Sequence, residues 1–256
     1  MKQLFYIIFF ALLLFFSCKK DPITNDPTPA PLSSIQVNLN NMVDDSLLVL
    51  NKNYFTSAGD SFMVSKFKYY LSNFVFTLED GSEYTEPESY HLIRHTNGIS
   101  SFTITQVPLG GYKAVRFMIG VDSTHNVSGT QPGDLESSYA SDMFWTWSSG
   151  YIFLKLEGTA PKSPASDKLI EYHIGGYGGK YKTQRDFNFN FGFGRLNVLQ
   201  TKLPVLNLKV NVNEIFKTPV AIDFSSLPTV VAGGFYAKQL ADNYADMISL
   251  KSIDNP

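Results

Sequence analysis

The chain reads as an all-β protein, an antiparallel β-sandwich closed by one short amphipathic helix near the C-terminus. Three observations predict this. Apolar residues recur at every second position through most of the interior, Gly, Pro and Asp turn signals separate those runs, and a single late segment carries helical spacing instead.

Each element follows from that pattern. In IQVNLN, Ile35, Val37 and Leu39 share a face. In SNFVFTLEDG the set is Phe74, Phe76 and Leu78, before the turn pair Asp80-Gly81. AVRFMIGVD places Val115, Phe117, Ile119 and Val121 together, and FNFNFGFG does the same for Phe187, Phe189, Phe191 and Phe193 opposite Asn and Gly. LNLKVNVN repeats the alternation with Leu206, Leu208, Val210 and Val212. The exception is AKQLADNYADMI, where Ala237, Leu240, Tyr244 and Ile248 or Met247 fall on one helical face.

The N-terminus is of another kind. Lys2, an apolar run from Leu4 to Phe16 and the small Ser17 have the form of a secretory signal peptide over residues 1–17, too short to span a bilayer comfortably. Cys18, the single cysteine, follows directly, and the junction resembles the lipobox of bacterial lipoproteins, with Phe15 where Leu or Val is typical. That resemblance implies lipidation at Cys18; the alternative is cleavage nearby and a free thiol. KKDPITNDPTPAPLSS, with four prolines, reads as a tether to residue 34. The body, 35–256, is then one domain held at the bacterial cell envelope, with the outer membrane as the expected surface. No second cysteine exists for a disulfide, so about 220 residues must be stabilised by core burial alone.

A net charge of −2 and a pI near 6.1 give no basic footprint for nucleic acid. The sequence has no Gly-x-Ser-x-Gly elbow, His-Glu-x-x-His, P-loop or cysteine pair for zinc, so no enzyme is expected. Asp122, Asp134, Glu136 and Asp142 form an acidic scatter without EF-hand spacing, more in keeping with solvated loop carboxylates than with calcium.

Both tryptophans lie one residue apart in MFWTWSSGYIFLKLEG. If that segment is extended, Met143, Trp145 and Trp147 point to one side, and Ser148 to Gly150 interrupt the strand as a bulge before Ile152, Leu154 and Leu156 resume it. The rings then either fill the core or face a site.

IGVDSTHNVSG, MFWTWSSGYIFLKLEG, EYHIGGYGG and AKQLADNYADM, in that order, resemble the signature blocks of the MbnP family, the methanobactin-associated copper-binding proteins and their lipoprotein relatives. SKFKYYLSNFVF and SYHLI extend the resemblance back to about Ser65. It implies a β-sandwich in the periplasm or at the surface, binding copper through histidine and kynurenine made by oxidising a tryptophan. A di-haem enzyme of the cytochrome c peroxidase type, the MbnH type, is the implied oxidising partner. On that resemblance His173, in the block matching the family's His-Leu/Ile-Gly motif, is the first candidate ligand, and His91 the second. Trp145 or Trp147 is the candidate for oxidation, with Trp145 preferred as the more firmly held. His95 and His125 sit in polar, turn-like stretches, and GGYGG replaces the cysteines that methanobactin-associated members carry near His-Leu-Gly. Indole is a poor ligand, whereas the aromatic amine of an opened indole joins imidazole as a nitrogen donor that copper accepts. Met143 offers a soft thioether or simply packs. The competing reading is an adhesion or glycan-binding lipoprotein whose Tyr177, Tyr181 and Phe235 stack on sugars.

Overall fold

The computed structural model describes residues 31–128, 131–136, 142–147 and 150–256. The segment read as a signal peptide, Cys18, most of the expected tether, and Ser148 and Ser149 lie outside these residues.

Among the described residues, seventeen strands and two α-helices follow in order. They are β1 (Leu32–Val43), β2 (Ser46–Leu47), β3 (Asn53–Phe55), β4 (Ser61–Leu78), β5 (Glu83–Thr85), β6 (Tyr90–Arg94), β7 (Ser100–Pro108) and β8 (Gly110–Ile119), then α1 (Ser123–Val127). After it come β9 (Phe144–Trp145), β10 (Gly150–Tyr151), β11 (Leu154–Thr159), β12 (Leu169–Ile174), β13 (Arg185–Asn190), β14 (Leu196–Val198), β15 (Val205–Asn211), β16 (Thr229–Val230), α2 (Phe235–Tyr244) and β17 (Ile248–Asp254).

Two sheets face each other across one core. The smaller runs β17-β15-β1-β2, with β7 also on β1; the larger runs β13-β8-β4-β11-β12-β16, with β3, β5 and β6 on β4 and β14 on β8. The expected alternation supplies the core: Ile35, Val37 and Leu39 from β1 and Leu206, Leu208 and Val210 from β15 meet Phe67, Tyr69, Leu71, Leu156 and Tyr172 of the larger sheet. Pairing is mostly antiparallel, but β1 lies parallel to β15 and β12 parallel to β16. Local alternation cannot distinguish these directions, because it fixes the face of a strand and not its sense.

Three expectations shift at the edges. Strand β1 begins at Leu32 and pairs there with Pro108, so the domain takes up the last residues assigned to the tether. Phe193 leaves the apolar face for full exposure, because the chain turns after Asn190 with Gly192 at φ 62°. The helix buries Ala237, Leu240 and Tyr244, but it stops at Tyr244; Met247 and Ile248 are buried by the return strand β17 instead. Asn243 ties the helix to the chain beside it by donating to the carbonyls of Ile215 and Val220 at 2.9 and 2.6 Å.

Strand β4 is the spine. Along one edge it pairs with β11 through residues 63–69 and with β8 through 71–78; β6 pairs with residues 68–72 from the other edge. Its outer face carries a second, smaller apolar cluster: Tyr70, Leu92, Val121, Leu135, Met143, Trp145, Tyr151, Ile152 and Phe153.

Candidate metal centre

Register builds the site. His173 stands opposite Lys155, which stands opposite Lys68; Glu171 stands opposite Glu157, which stands opposite Lys66. Tyr172 and Ile174 point into the core, so these six side chains share the outer face. The His173 Nε2 lies 3.0 Å from Glu157 Oε1 and 3.3 Å from Glu171 Oε1, and the three groups offer ligand atoms all within 4.8 Å of one another. Lys66 pairs with Glu157 at 2.8 Å. Asp142 reaches across from the start of the tryptophan segment to Lys68 at 2.7 Å, Lys155 at 3.8 Å and Lys66 at 3.9 Å.

Burial, reinforced by the Lys155 ammonium, holds the His173 pKa below its usual value against the pull of the two glutamates. The ring is therefore neutral at pH 7. A neutral ring beside a carboxylate must place its proton on Nε2 and donate it to Glu157, which leaves Nδ1 as a bare lone pair with no hydrogen-bond partner among the described residues. That is the arrangement of a ligating histidine oriented by a carboxylate behind it. Burial pushes the carboxyls of Asp142 and Glu157 up, but the surrounding lysines more than reverse it and hold both below their usual range.

The tryptophans do not lie along a bulged strand. Strands β9 and β10 form an antiparallel hairpin in which Gly150 opposes Trp145 and Tyr151 opposes Phe144, and Ile152 N–H donates to the Met143 carbonyl at 2.8 Å. The chain reverses after Trp145, so Trp147 does not share the packed face with Met143 and Trp145. Trp145 is 8 % exposed and Met143 fully buried, whereas Trp147 is 67 % exposed, its ring centroid 5.6 Å from that of Trp145. The sequence showed the interruption, but a bulge and a tight reversal both use small polar residues and Gly.

Gly175 brings hairpin and histidine together. A Cβ there would stand 2.5 Å from the Tyr151 carbonyl oxygen and 2.7 and 2.9 Å from Cζ3 and Cη2 of Trp145. The indole lies on bare backbone two residues beyond His173, roughly 7 Å along the chain. The two outer clusters, one ionic and one apolar, are thus joined by the short stretch from His173 to Gly175.

The other histidines are elsewhere. His91 opposes Leu71, an odd number of residues from Lys68, so it points to the inner face, three strand spacings or roughly 14 Å across from His173. It stacks on Phe102 at 3.8 Å and binds the Glu86 carboxylate at 2.9 and 3.1 Å. His91 and His173 therefore do not share a site. His95 is buried rather than turn-exposed: Asn41 donates to its Nδ1 at 3.2 Å, its Nε2 donates to the Leu48 carbonyl at 3.0 Å, and burial lowers its pKa. His125 lies in α1, bonded to Asp122 and Tyr90. The acidic scatter disperses: Asp122 caps α1, Asp134 accepts the Leu92 N–H at 2.7 Å, and Asp142 joins the lysines.

The sequence profile of the MbnP family matches residues 32–232 of this chain. The chain belongs to the MbnP family. Among solved structures, MbnP from Methylosinus trichosporium superposes with a TM-score of 0.53 at 13 % identity, over 78 % of this chain and 83 % of that one, so the two share a fold. No curated protein sequence matches significantly.

In this MbnP-family chain, the carboxylates Glu157 and Glu171 that lie beside His173 were passed over in the sequence, and Asp142, read there as a solvated loop carboxylate, joins the lysines instead. Glu171-x-His173 and Lys155-x-Glu157 were readable as same-face pairs; that they are neighbours depends on the β11–β12 register. No helix among the described residues is long and apolar enough to cross a membrane.

Proposed function

We propose that this MbnP-family chain is a copper-binding protein of the bacterial cell envelope, tethered by lipid at Cys18, and a binder rather than a catalyst. The observation that carries the reading is Trp145 seated on Gly175, two residues from a neutral His173 whose Nδ1 is unengaged. His173 would hold the ion on Nδ1, with Glu157 and Glu171 at Nε2 orienting the ring; an imidazole so oriented fits copper. Intact indole adds no donor. Oxidation of Trp145 by a di-haem peroxidase-type partner, two peroxide equivalents placing two oxygen atoms across the indole C2–C3 bond and hydrolysis releasing formate, leaves an aromatic amine beside the imidazole. Trp147, exposed at the hairpin turn, marks the side such a partner would approach.

Competition titration with copper tests this. His173→Ala should lose at least tenfold in affinity and His125→Gln should not; equal affinity of the His173 variant and the parent removes the site. Peptide mass spectrometry of protein from its native host should find kynurenine at Trp145, and intact indoles at both positions would return the pair to packing. The exposed Tyr177, Tyr181 and Phe235 favour the glycan reading in that event, and a glycan array then decides it.

A further inference from the structure

A second cluster of ligand-type atoms lies at the far side of the apolar patch beneath the hairpin, and the copper reading does not use it. Tyr90, on β6, turns to the outer face with Leu92 and packs on that patch. Its hydroxyl is hydrogen-bonded to Asp122 Oδ2 and lies 2.5 Å from His125 Nδ1. That Nδ1 is 3.1 Å from each Asp122 oxygen. Asp122 is fixed as the N-cap of α1, its Oδ1 accepting the His125 N–H at 3.1 Å, so the carboxylate and the imidazole are held by one turn of backbone.

Two oxygens and a nitrogen thus converge from three side chains. Ligands at right angles and about 2.1 Å from a common cation stand about 3.0 Å apart, close to the Asp122–His125 spacing. The phenol oxygen would have to open away from both His125 Nδ1 and Asp122 Oδ2. Unlike Glu157 and Asp142, which lysines neutralise, Asp122 has no ammonium or guanidinium partner among the described residues. Tyr90 also lines a cleft of about 400 Å³ with Pro132, Gly133 and Asp134.

We propose that Tyr90, Asp122 and His125 form a second metal site, separate from His173, that takes ferric iron on one phenolate, one carboxylate and one imidazole, with water in the remaining positions. Two hard anionic oxygens and a neutral nitrogen suit a trivalent ion better than a soft monovalent one. Binding displaces one proton from the Tyr90 hydroxyl to solvent and moves the His125 ring proton from Nδ1, where it faces the Asp122 carboxylate, to Nε2.

Titration of the protein with ferric nitrilotriacetate tests the site. A visible phenolate-to-iron charge-transfer band should grow to one equivalent per chain. Tyr90→Phe should abolish it, Asp122→Asn should weaken binding at least tenfold, and His173→Ala should leave it unchanged, which separates this site from the copper reading. Circular dichroism establishes that each variant is folded; if Tyr90→Phe is not, Asp122→Asn and His125→Gln carry the test. No band in the parent overturns the proposal and leaves a hydrogen-bonded triad only. So does a band that survives Tyr90→Phe, or one that survives both other changes at full affinity.

Discussion

The two faces of the larger sheet are built on opposite terms. On the inner face Phe74 stacks on Phe117 with centroids 4.6 Å apart, Phe117 on Phe187 at 5.6 Å, and Phe74 meets Phe102 edge-on. These rings belong to one continuous core reaching both sheets, in which many contacts share the burial. The outer face holds a cluster of nine buried residues among those described, including Trp145 and Tyr151 of the short hairpin, with a lattice of lysines and carboxylates beside them. There each contact stands alone: Gly175 admits the indole, Asp142 ties the hairpin's start to three lysines, and Glu157 sets the histidine tautomer. The inner face makes the fold by redundancy, and the outer face makes the site without it.

Breaking each face should show the contrast, and the largest effect belongs inside. Phe74→Ala should cost about 3 to 5 kcal/mol of stability in denaturant titration while leaving copper affinity near that of the parent in whatever remains folded. Gly175→Val inverts the pattern. The new side chain would collide with the Tyr151 carbonyl and the Trp145 ring, so we expect about 1 to 3 kcal/mol of destabilisation, a red-shifted tryptophan emission and at least a tenfold loss of copper affinity. Unchanged emission would mean that the hairpin is not held by this contact.

Acid should act on both faces, through one histidine on each. His95 inside and His173 outside are held neutral, with folded pKa values below the unfolded value of about 6.5. As pH falls through 6.5 the unfolded chain takes up protons that the fold refuses, so stability falls from there until the lowered folded values are passed, and it recovers as pH rises. The slope of stability against pH between about 7 and 5 should be shallower in His95→Gln than in the parent. Smallest of all, Trp147→Phe should change stability by less than about 0.5 kcal/mol, because the ring is mostly solvated; a larger loss would show that the hairpin leans on it.

What was legible in the sequence followed the same division. Period-two alternation placed Ile35, Phe117 and Leu208 in the core because one buried face imposes that period on a strand whatever its partner. His173 was legible on the outer face for the same reason, its neighbours Tyr172 and Ile174 being apolar. The hairpin, the carboxylates around His173 and the separation of His91 were not, since each depends on which strand lies alongside. His91 sits between Tyr90 and Leu92 in a segment that looks as regular as the one holding His173; only its pairing with Leu71 shows that it faces inward.

The parallel pairing of β1 with β15 has a consequence for how the domain is made. Asn38 and Asn207, hydrogen-bonded neighbours in the sheet, are 169 residues apart in the chain, and β15 in turn supports β17 at the other end. The first strand is interior to its sheet, flanked by β7 on one side and β15 on the other. Loops of that length close slowly, and the entropy of closing them is lost before any contact compensates. The smaller sheet therefore assembles only once nearly the whole polypeptide has emerged. Until then β1 lacks one of its two neighbours, and closure of the smaller sheet is a late event rather than a progression from one end.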